Sequence, residues 1–187
     1  NRTQDQQGQY LYDPKKQRLE EDSFYVYLYD ANGNLTQKQK KGTGAPATEF
    51  TNYSYSSENQ LIRFEDFKNN VLVTEANYYY DALGRRIQKQ VVDHTAIADP
   101  LKTFTKRFVY DGQEILLEYN ENNSLLARYA HSGLRIDDVL AVDVTAAGVS
   151  AKVAQSAGSY QYIKDAQGTV TDITNSSGTK TQHYVYS

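Results

Sequence analysis

The chain of 187 residues contains no cysteine, no methionine and no tryptophan, and only three prolines. Without cysteine there can be no disulfide framework and no thiolate metal site. No apolar run approaches the about 18–20 residues of a membrane-spanning helix, so the chain is read as not membrane-spanning, and no signal peptide is visible. Aliphatic residues are also scarce. Hydrophobic residues make up 39%, against about 45–50% in an average globular domain, and the mean hydropathy is -0.72. Excess positive charge is missing too. The net charge is -3, and the basic clusters are short: Lys38, Lys40 and Lys41; Arg85 and Arg86; Lys106 and Arg107. A nucleic-acid binder needs a basic stripe that displaces phosphate counterions, so no nucleic-acid partner is expected. The absence of methionine, with Asn1 at the start, reads as an internal segment of a larger protein.

What the chain does have is tyrosine, 17 residues, with 6 phenylalanines. That aromatic content argues against disorder. A tyrosine ring covers a sheet face while its hydroxyl stays wet, which suits thin, hydrated layers. The tyrosines fall in a repeat. Tyr27 to Leu35 reads YLYDANGNL, and Tyr78 to Ile87 reads YYYDALGRRI, with one residue added before the final aliphatic. Tyr10 to Leu19 is YLYDPKKQRL, Tyr53 to Leu61 is YSYSSENQL with Ser56 in place of aspartate, and Phe108 to Ile115 opens as FVYDGQEI. The aspartate-equivalent positions 13, 30, 56, 81 and 111 are separated by 17, 26, 25 and 30 residues, which suits hairpins of variable length better than a strict solenoid.

Each letter of the repeat has a physical reason. Aromatics two apart share one face of a strand. An aspartate at the strand end can accept backbone amides and start a turn, and Gly33 and Gly84 supply positive φ. An aliphatic then opens the returning strand. Each unit is therefore a β-hairpin, and the aspartates are read as turn builders rather than catalysts. Looser stretches interrupt the array at Lys41 to Pro46, Val92 to Pro100, and Asp143 to Ser159, the last a surface connection or an exposed hairpin. Glu114 to Glu118 has some helical propensity, but flanking β patterns outweigh it, and no amphipathic helix emerges.

Sites that could carry chemistry are few. His94, His131 and His183 have no second histidine or cysteine at metal-ligand spacing, so each is read as structural and no metal or cofactor is assigned. Asp137 and Asp138 could form a carboxylate dyad, but neighbours on a strand point to opposite faces. Asp30, Asn32 and Asn34 with Gly33 fit a calcium loop poorly, the glycine lying one place early. Phosphate-binding and nucleophile-elbow motifs are absent.

The units YDANGNL and YDALGRR resemble the tyrosine-aspartate (YD) repeats of the rearrangement-hotspot (Rhs) family, which includes the C components of insecticidal toxin complexes and the teneurins. From Phe108 the run FVYDGQEILLEYNENNSLLARYAHSGLRIDDVLAV resembles that family's core segment, and Tyr160 to Tyr186 resembles the segment that follows. In that last stretch Asp165, with the Gln167 to Val170 turn containing Gly168, stands for one turn, and Asp172 with Gly178 for the next. Val139 departs from the family's proline. Asp13-Pro14 and Asp99-Pro100 lack the glycine context of its autoproteolysis segment, so no self-cleavage is assigned.

The resemblance implies an all-β fold: a YD-repeat hairpin array forming part of a spiral, cocoon-like β-sheet shell, with no substantial helix. Residues 1–107 would carry YD repeats, with hairpins near 10–19, 27–35, 53–61 and 78–87, and residues 108–187 the core segment. The structural motif residues are Tyr12, Asp13, Tyr29, Asp30, Gly33, Tyr55, Tyr80, Asp81, Gly84, Tyr110, Asp111, Gly112, Asp165 and Gly168. The implied function is a non-enzymatic shell segment of a secreted or cell-surface bacterial protein. Its partners would be the rest of the parent polypeptide and an effector cargo lying outside this chain. The alternative is a surface adhesion module that recognises carbohydrate.

Overall fold

The structure, a computed structural model, describes residues 4–5, 8–13, 15–42, 46–95, 103–133, 138–151 and 153–186. Pro14, Asp99, Pro100 and Asp137 lie outside the described residues, as do parts of the loops expected at 41–46 and 92–100.

The described chain is nearly all strand. β1 (Gln4–Asp5) and β2 (Gly8–Gln9) form a separate two-stranded ladder. They are followed by β3 (Leu11–Tyr12), β4 (Leu19–Glu21), β5 (Tyr25–Tyr29), β6 (Leu35–Lys40), β7 (Phe50–Tyr55), β8 (Leu61–Lys68), β9 (Val71–Tyr80) and β10 (Arg86–Asp93). The second half contributes β11 (Phe104–Asp111), β12 (Glu114–Tyr119), β13 (Leu125–His131), β14 (Val139–Val144), β15 (Gly158–Lys164), β16 (Val170–Asn175) and β17 (Lys180–His183). From β3 to β17 hydrogen-bonded neighbours follow chain order in a sheet of 15 strands, with no crossover. Glu114 to Glu118 is strand, as the flanking pattern indicates.

Two compact units divide the chain, residues 1–79 with 89–103 and residues 80–88 with 104–187. In the first unit, period-two alternation puts tyrosines on one face: Tyr27 lies opposite Lys38 and Tyr53 opposite Phe64. The other face carries amides, with Leu28 opposite Gln37 and Gln37 opposite Asn52. Rings pack across strands, Phe50 on Phe67 at 4.7 Å and Tyr53 edge-on to Phe64 at 5.8 Å. Such pairs contribute beyond their buried area, which helps a sheet with so few aliphatics.

The second unit has a small true core. Ala127, Val142, Val144 and Tyr160 are buried on one face, with Tyr129, Tyr162 and Ile173 packed against them. The 145–157 connection covers them, so it is neither a plain surface connection nor an exposed hairpin. It opens with a five-residue helix, α1 (Ala146–Ser150). A helix so short cannot hold itself in water, and docking holds it here. Thr145 caps it, accepting the Gly148 amide at 3.1 Å on its hydroxyl while donating to Leu125 C=O at 2.5 Å. Val149 and Val153 reach the core beyond it. Sequence periodicity missed α1 because one turn is too short to show a 3.6-residue pattern.

Gly148 is where helix and sheet approach most closely: a Cβ there would lie 2.2 Å from Leu126 C=O and 2.8 Å from Val144 Cγ1. A backbone carbonyl cannot rotate away. Gly148→Ala should therefore cost about 1–3 kcal/mol, the usual scale of overpacking, and lower the thermal midpoint read by circular dichroism. An unchanged midpoint would show that α1 can lift from the sheet without penalty.

Candidate functional site

The recurring chemical feature is the turn, and six turns are built the same way. In the turns opened by Asp30, Ser56, Asp81, Asn120, Asp165 and Asn175, the first residue donates its N–H to the carbonyl four residues on. Its own carbonyl accepts the N–H of the residue three on. That third residue has positive φ throughout: Gly33, Asn59, Gly84, Asn123, Gly168 and Gly178. This is the three-residue hairpin loop, a turn followed by a left-handed residue.

The side chain of the opening residue secures the loop. Asp81 Oδ1 accepts the amides of Leu83 at 2.9 Å and Arg85 at 3.0 Å, and Oδ2 accepts Arg85 Nε at 2.7 Å. Asp165 Oδ1 accepts Gln167 and Thr169, both at 2.9 Å. Asp30 accepts both the amide and the side-chain N–H of Asn34. Ser56 makes the same two backbone bonds at 3.2 and 3.3 Å, so it keeps the turn without a charge. Asp13 opens a loop one residue longer, taking the amides of Lys15 and Lys16, with Gln17 at φ 56.

These contacts set the acidities. Asp30 is held below the ordinary carboxylate range first by the Asn34 side chain, Asp81 first by the Arg85 guanidinium, and Asp13 by the Lys16 and Lys15 amides. A carboxylate that accepts several N–H bonds favours its charged form.

Turns are tied to their neighbours. In the first unit, Arg18 Nη1 donates to Asp30 C=O at 3.2 Å, and its guanidinium lies 5.6 Å from the Tyr29 ring centroid. It also lies so near Gly33 that a Cβ there would meet it at 3.1 Å. Asn32 and Asn34 donate to Asn59 at 3.1 and 2.8 Å, linking the Asp30 and Ser56 turns. In the second unit Arg85 sits 5.0 Å from the Tyr110 ring centroid and donates to Gly112 C=O. The tyrosine preceding a turn reaches back to the strand that leaves an earlier one: Tyr29 to Leu19 C=O at 2.8 Å and Tyr110 to Arg86 C=O at 2.9 Å; Tyr186 makes the same kind of bond to Val170 C=O at 2.8 Å.

Several readings change in detail. Asp111 belongs to β11, paired with Glu114, and Gly112 at φ 58 opens a two-residue loop. Asp111 is thus a strand residue beside a tighter turn. Asp172 opens no turn either. It is buried in β16, where it is held acidic by Lys180 at 2.9 Å and His183 at 2.8 Å. Asn175 opens that turn instead. The extra residue in YYYDALGRRI is no insertion in the loop, since Asp81 and Arg85 close as Asp30 and Asn34 do. Asn120 went unrecognised, its signal being the Tyr-Asn pair in EYNENNSL with Asn123 in place of glycine. Tyr12, Tyr55 and Tyr80 end β3, β7 and β9 just before their turns.

The histidines do not converge. His131 lies between Ile115 C=O at 2.8 Å and the Glu114 carboxylate at 2.9 Å, His183 faces Asp172, and His94 faces Glu75 at 3.5 Å. Asp138 pairs with Lys164.

No protein-family profile matches the chain. The chain is 29% identical over 161 residues to the double-stranded DNA deaminase toxin A of Burkholderia cenocepacia, covering 81% of this chain and 10% of that protein. It is 28% identical over 165 residues to the tRNA3(Ser)-specific nuclease WapA of Bacillus spizizenii, covering 88% of this chain and 6% of that protein. The chain therefore spans a tenth or less of these relatives. Among solved structures, a chain of the Photorhabdus luminescens Tc holotoxin pore superposes over 91% of this chain and 10% of its own length, with a TM-score of 0.52 at 14% identity. The chain thus shares its fold with part of that Tc holotoxin chain. At that identity the likeness shows the fold alone.

Two outcomes test this geometry. Asn120→Ala should lose about 1 kcal/mol, the scale of a lost hydrogen bond, while Asn120→Asp retains the midpoint in chemical denaturation. Because Asp30 and Asp81 have depressed folded pKa values, their contribution is present above the unfolded carboxylate pKa and is lost as pH falls through the folded value. Stability should decline below about pH 4, and an Asp30→Asn, Asp81→Asn double variant should show a shallower acid limb. An unaltered limb would rule the turn carboxylates out as its source.

Proposed function

We propose that this chain is a structural shell segment of a larger bacterial toxin polypeptide, secreted or displayed at the cell surface, which encloses an effector domain lying outside the chain. It performs no catalysis of its own in this reading. The observation that carries the reading is the use of the repeated acids: at Asp30, Asp81 and Asp165 the carboxylate is occupied by amides of its own turn. A group so committed builds backbone and is poorly placed to transfer protons to a substrate. The toxin names of the sequence relatives and the Tc toxin fold support the same reading, as does the small share of each relative to which the chain corresponds.

The reading frame that encodes the chain supplies the first test. It should continue into an aspartyl autoproteolysis segment and then a variable effector, and the effector in the purified full-length protein should resist protease until the shell is opened with denaturant. A surface anchor in place of the effector, or an effector cleaved at once, would overturn enclosure and leave carbohydrate recognition as the working function.

A further inference from the structure

The Asp30 turn holds a reactive pair that the other turns lack. Asn32 is the chain's one asparagine followed by glycine. The main-chain nitrogen of the next residue can close a five-membered ring on an asparagine amide carbon when no side chain on that residue stands in the way. Gly33 has none, and it takes φ 97. Asn32 is exposed. Its Nδ2 donates to Asn59 at 3.1 Å, while its Oδ1 accepts no bond among the described residues. The other turn asparagines are better protected. Asn120 and Asn175 each commit Oδ1 to two amides, and Asn34, Asn59 and Asn123 precede Leu35, Gln60 and Ser124.

The attacking nitrogen is loosely held and lies beside a cation. Gly33 N–H donates to Asp30 C=O at 3.2 Å, the long end for such a bond. The same carbonyl also accepts Arg18 Nη1 at 3.2 Å, so two donors share one acceptor. Arg18 Nη2, Cζ and Nε lie 3.1, 3.2 and 3.6 Å from where a Cβ of residue 33 would stand, which sets the guanidinium against Gly33. The opposing charge is the Asp30 carboxylate, and Asn34 takes both of its oxygens. During ring closure negative charge develops on the Gly33 nitrogen and then on the Asn32 oxygen. A cation already fixed beside them stabilises that charge without having to reorganise.

We propose that Asn32 is a site of spontaneous deamidation promoted by Arg18. Hydroxide removes the Gly33 N–H proton, and the nitrogen's electron pair forms a bond to Asn32 Cγ. The Cγ–Nδ2 bond then breaks, and Nδ2 leaves as ammonia with a proton from water, which regenerates the hydroxide. A second water opens the resulting succinimide at either carbonyl, leaving aspartate or isoaspartate at position 32. One water is consumed, one ammonia is released, and nothing is oxidised or reduced. The product alters the row of turns. A carboxylate oxygen replaces the Nδ2 donor and faces Asn59 Oδ1, acceptor against acceptor. Isoaspartate also passes an extra main-chain atom through a loop whose length sets its geometry. Modification therefore removes the Asn32 tie between the Asp30 and Ser56 turns, whatever the chain encloses.

The test keeps the full 187-residue chain folded in mildly alkaline buffer and samples it over time. Each sample is digested and sequenced by electron-transfer mass spectrometry, which separates aspartate from isoaspartate. Conversion is expected at Asn32 ahead of every other asparagine, at a rate that rises with hydroxide. Arg18→Gln should slow it about fivefold, the upper end for one exposed ion pair, and Arg18→Lys should restore most of the rate. Added salt should slow the wild-type chain and leave Arg18→Gln unaffected. Asn32 left intact in the folded chain, at times when the denatured chain has converted, would overturn the site, as would faster conversion at another asparagine. Arg18→Gln converting as fast as wild type, with an intact circular dichroism spectrum, would overturn the part given to Arg18. Should Arg18→Gln unfold, the salt series on the wild-type chain decides: slowing supports the guanidinium's part, and a flat response overturns it.

Discussion

The sheet depends on one bond pattern: a short acceptor side chain at the start of a turn capturing the amides two and four residues on. Reversing a strand leaves those amides without ladder partners, and an unmet donor near a sheet end is costly. Asp30, Asp81, Asp165, Asn120 and Asn175 meet that need with one oxygen, and Ser56 meets it with a hydroxyl. The left-handed residue three places on then fixes the twist. Where a threonine occupies the extra position on the returning strand, its hydroxyl reaches the facing carbonyl, as Thr36 does at Leu28, Thr171 at Ile163 and Thr181 at Ile173. Turn, bulge and strand register are thus specified within about seven residues, before any distant contact forms. Local specification of this kind suits a sheet whose faces bury too little to fix register by hydrophobicity.

Cohesion then comes from amphipathic side chains acting between hairpins. Tyr29 and Tyr110 cover the sheet with their rings and bond earlier strands with their hydroxyls, while Arg18 and Arg85 lie against those rings and donate to the next turn. Ring contact and hydrogen bond reinforce one another, since an arginine held flat on an aromatic has its donors already aimed. Where the second unit does bury charge, it does so in company. Glu118 is buried with Lys106 Nζ at 2.5 Å and the Tyr129 hydroxyl donating at 2.9 Å. Burial, then the Glu118 charge, pushes the pKa of the Tyr129 hydroxyl well above its ordinary value. Removing one partner of such a buried set leaves the others unmet.

How far this was legible in the sequence follows from the chemistry of the letters. The all-β class and the Asp30, Asp81 and Asp165 turns can be read directly because an acid and a left-handed glycine both appear literally. Asn120 was hidden because asparagine replaces both: it accepts amides as aspartate does, and Asn123 tolerates positive φ where glycine is usual. Asn175 was masked by Asp172, a more conspicuous acid three residues earlier whose work is an ion pair across strands. The core of the second unit was not legible at all. It rests on Gly148, an Ala-, Ser- and Gly-rich connection and a single helical turn, none of which has a periodic signature.

The two ends of the hairpins in the second unit differ in a way that bears on function. One end holds the short Asp81, Gly112 and Asp165 turns and the longer 132–138 connection. The opposite end holds the Asn120 and Asn175 turns and the long connection that closes over the core. Short turns leave the sheet faces uncovered. A long connection does the reverse, since it can bring aliphatic side chains over a sheet face that is otherwise tyrosine and amide. The one described place where this protein gathers aliphatics is therefore set by a departure from its repeat. That departure places Val149 and Val153 over Val142 and Val144, so the second unit owes its core to the connection rather than to the hairpins it joins.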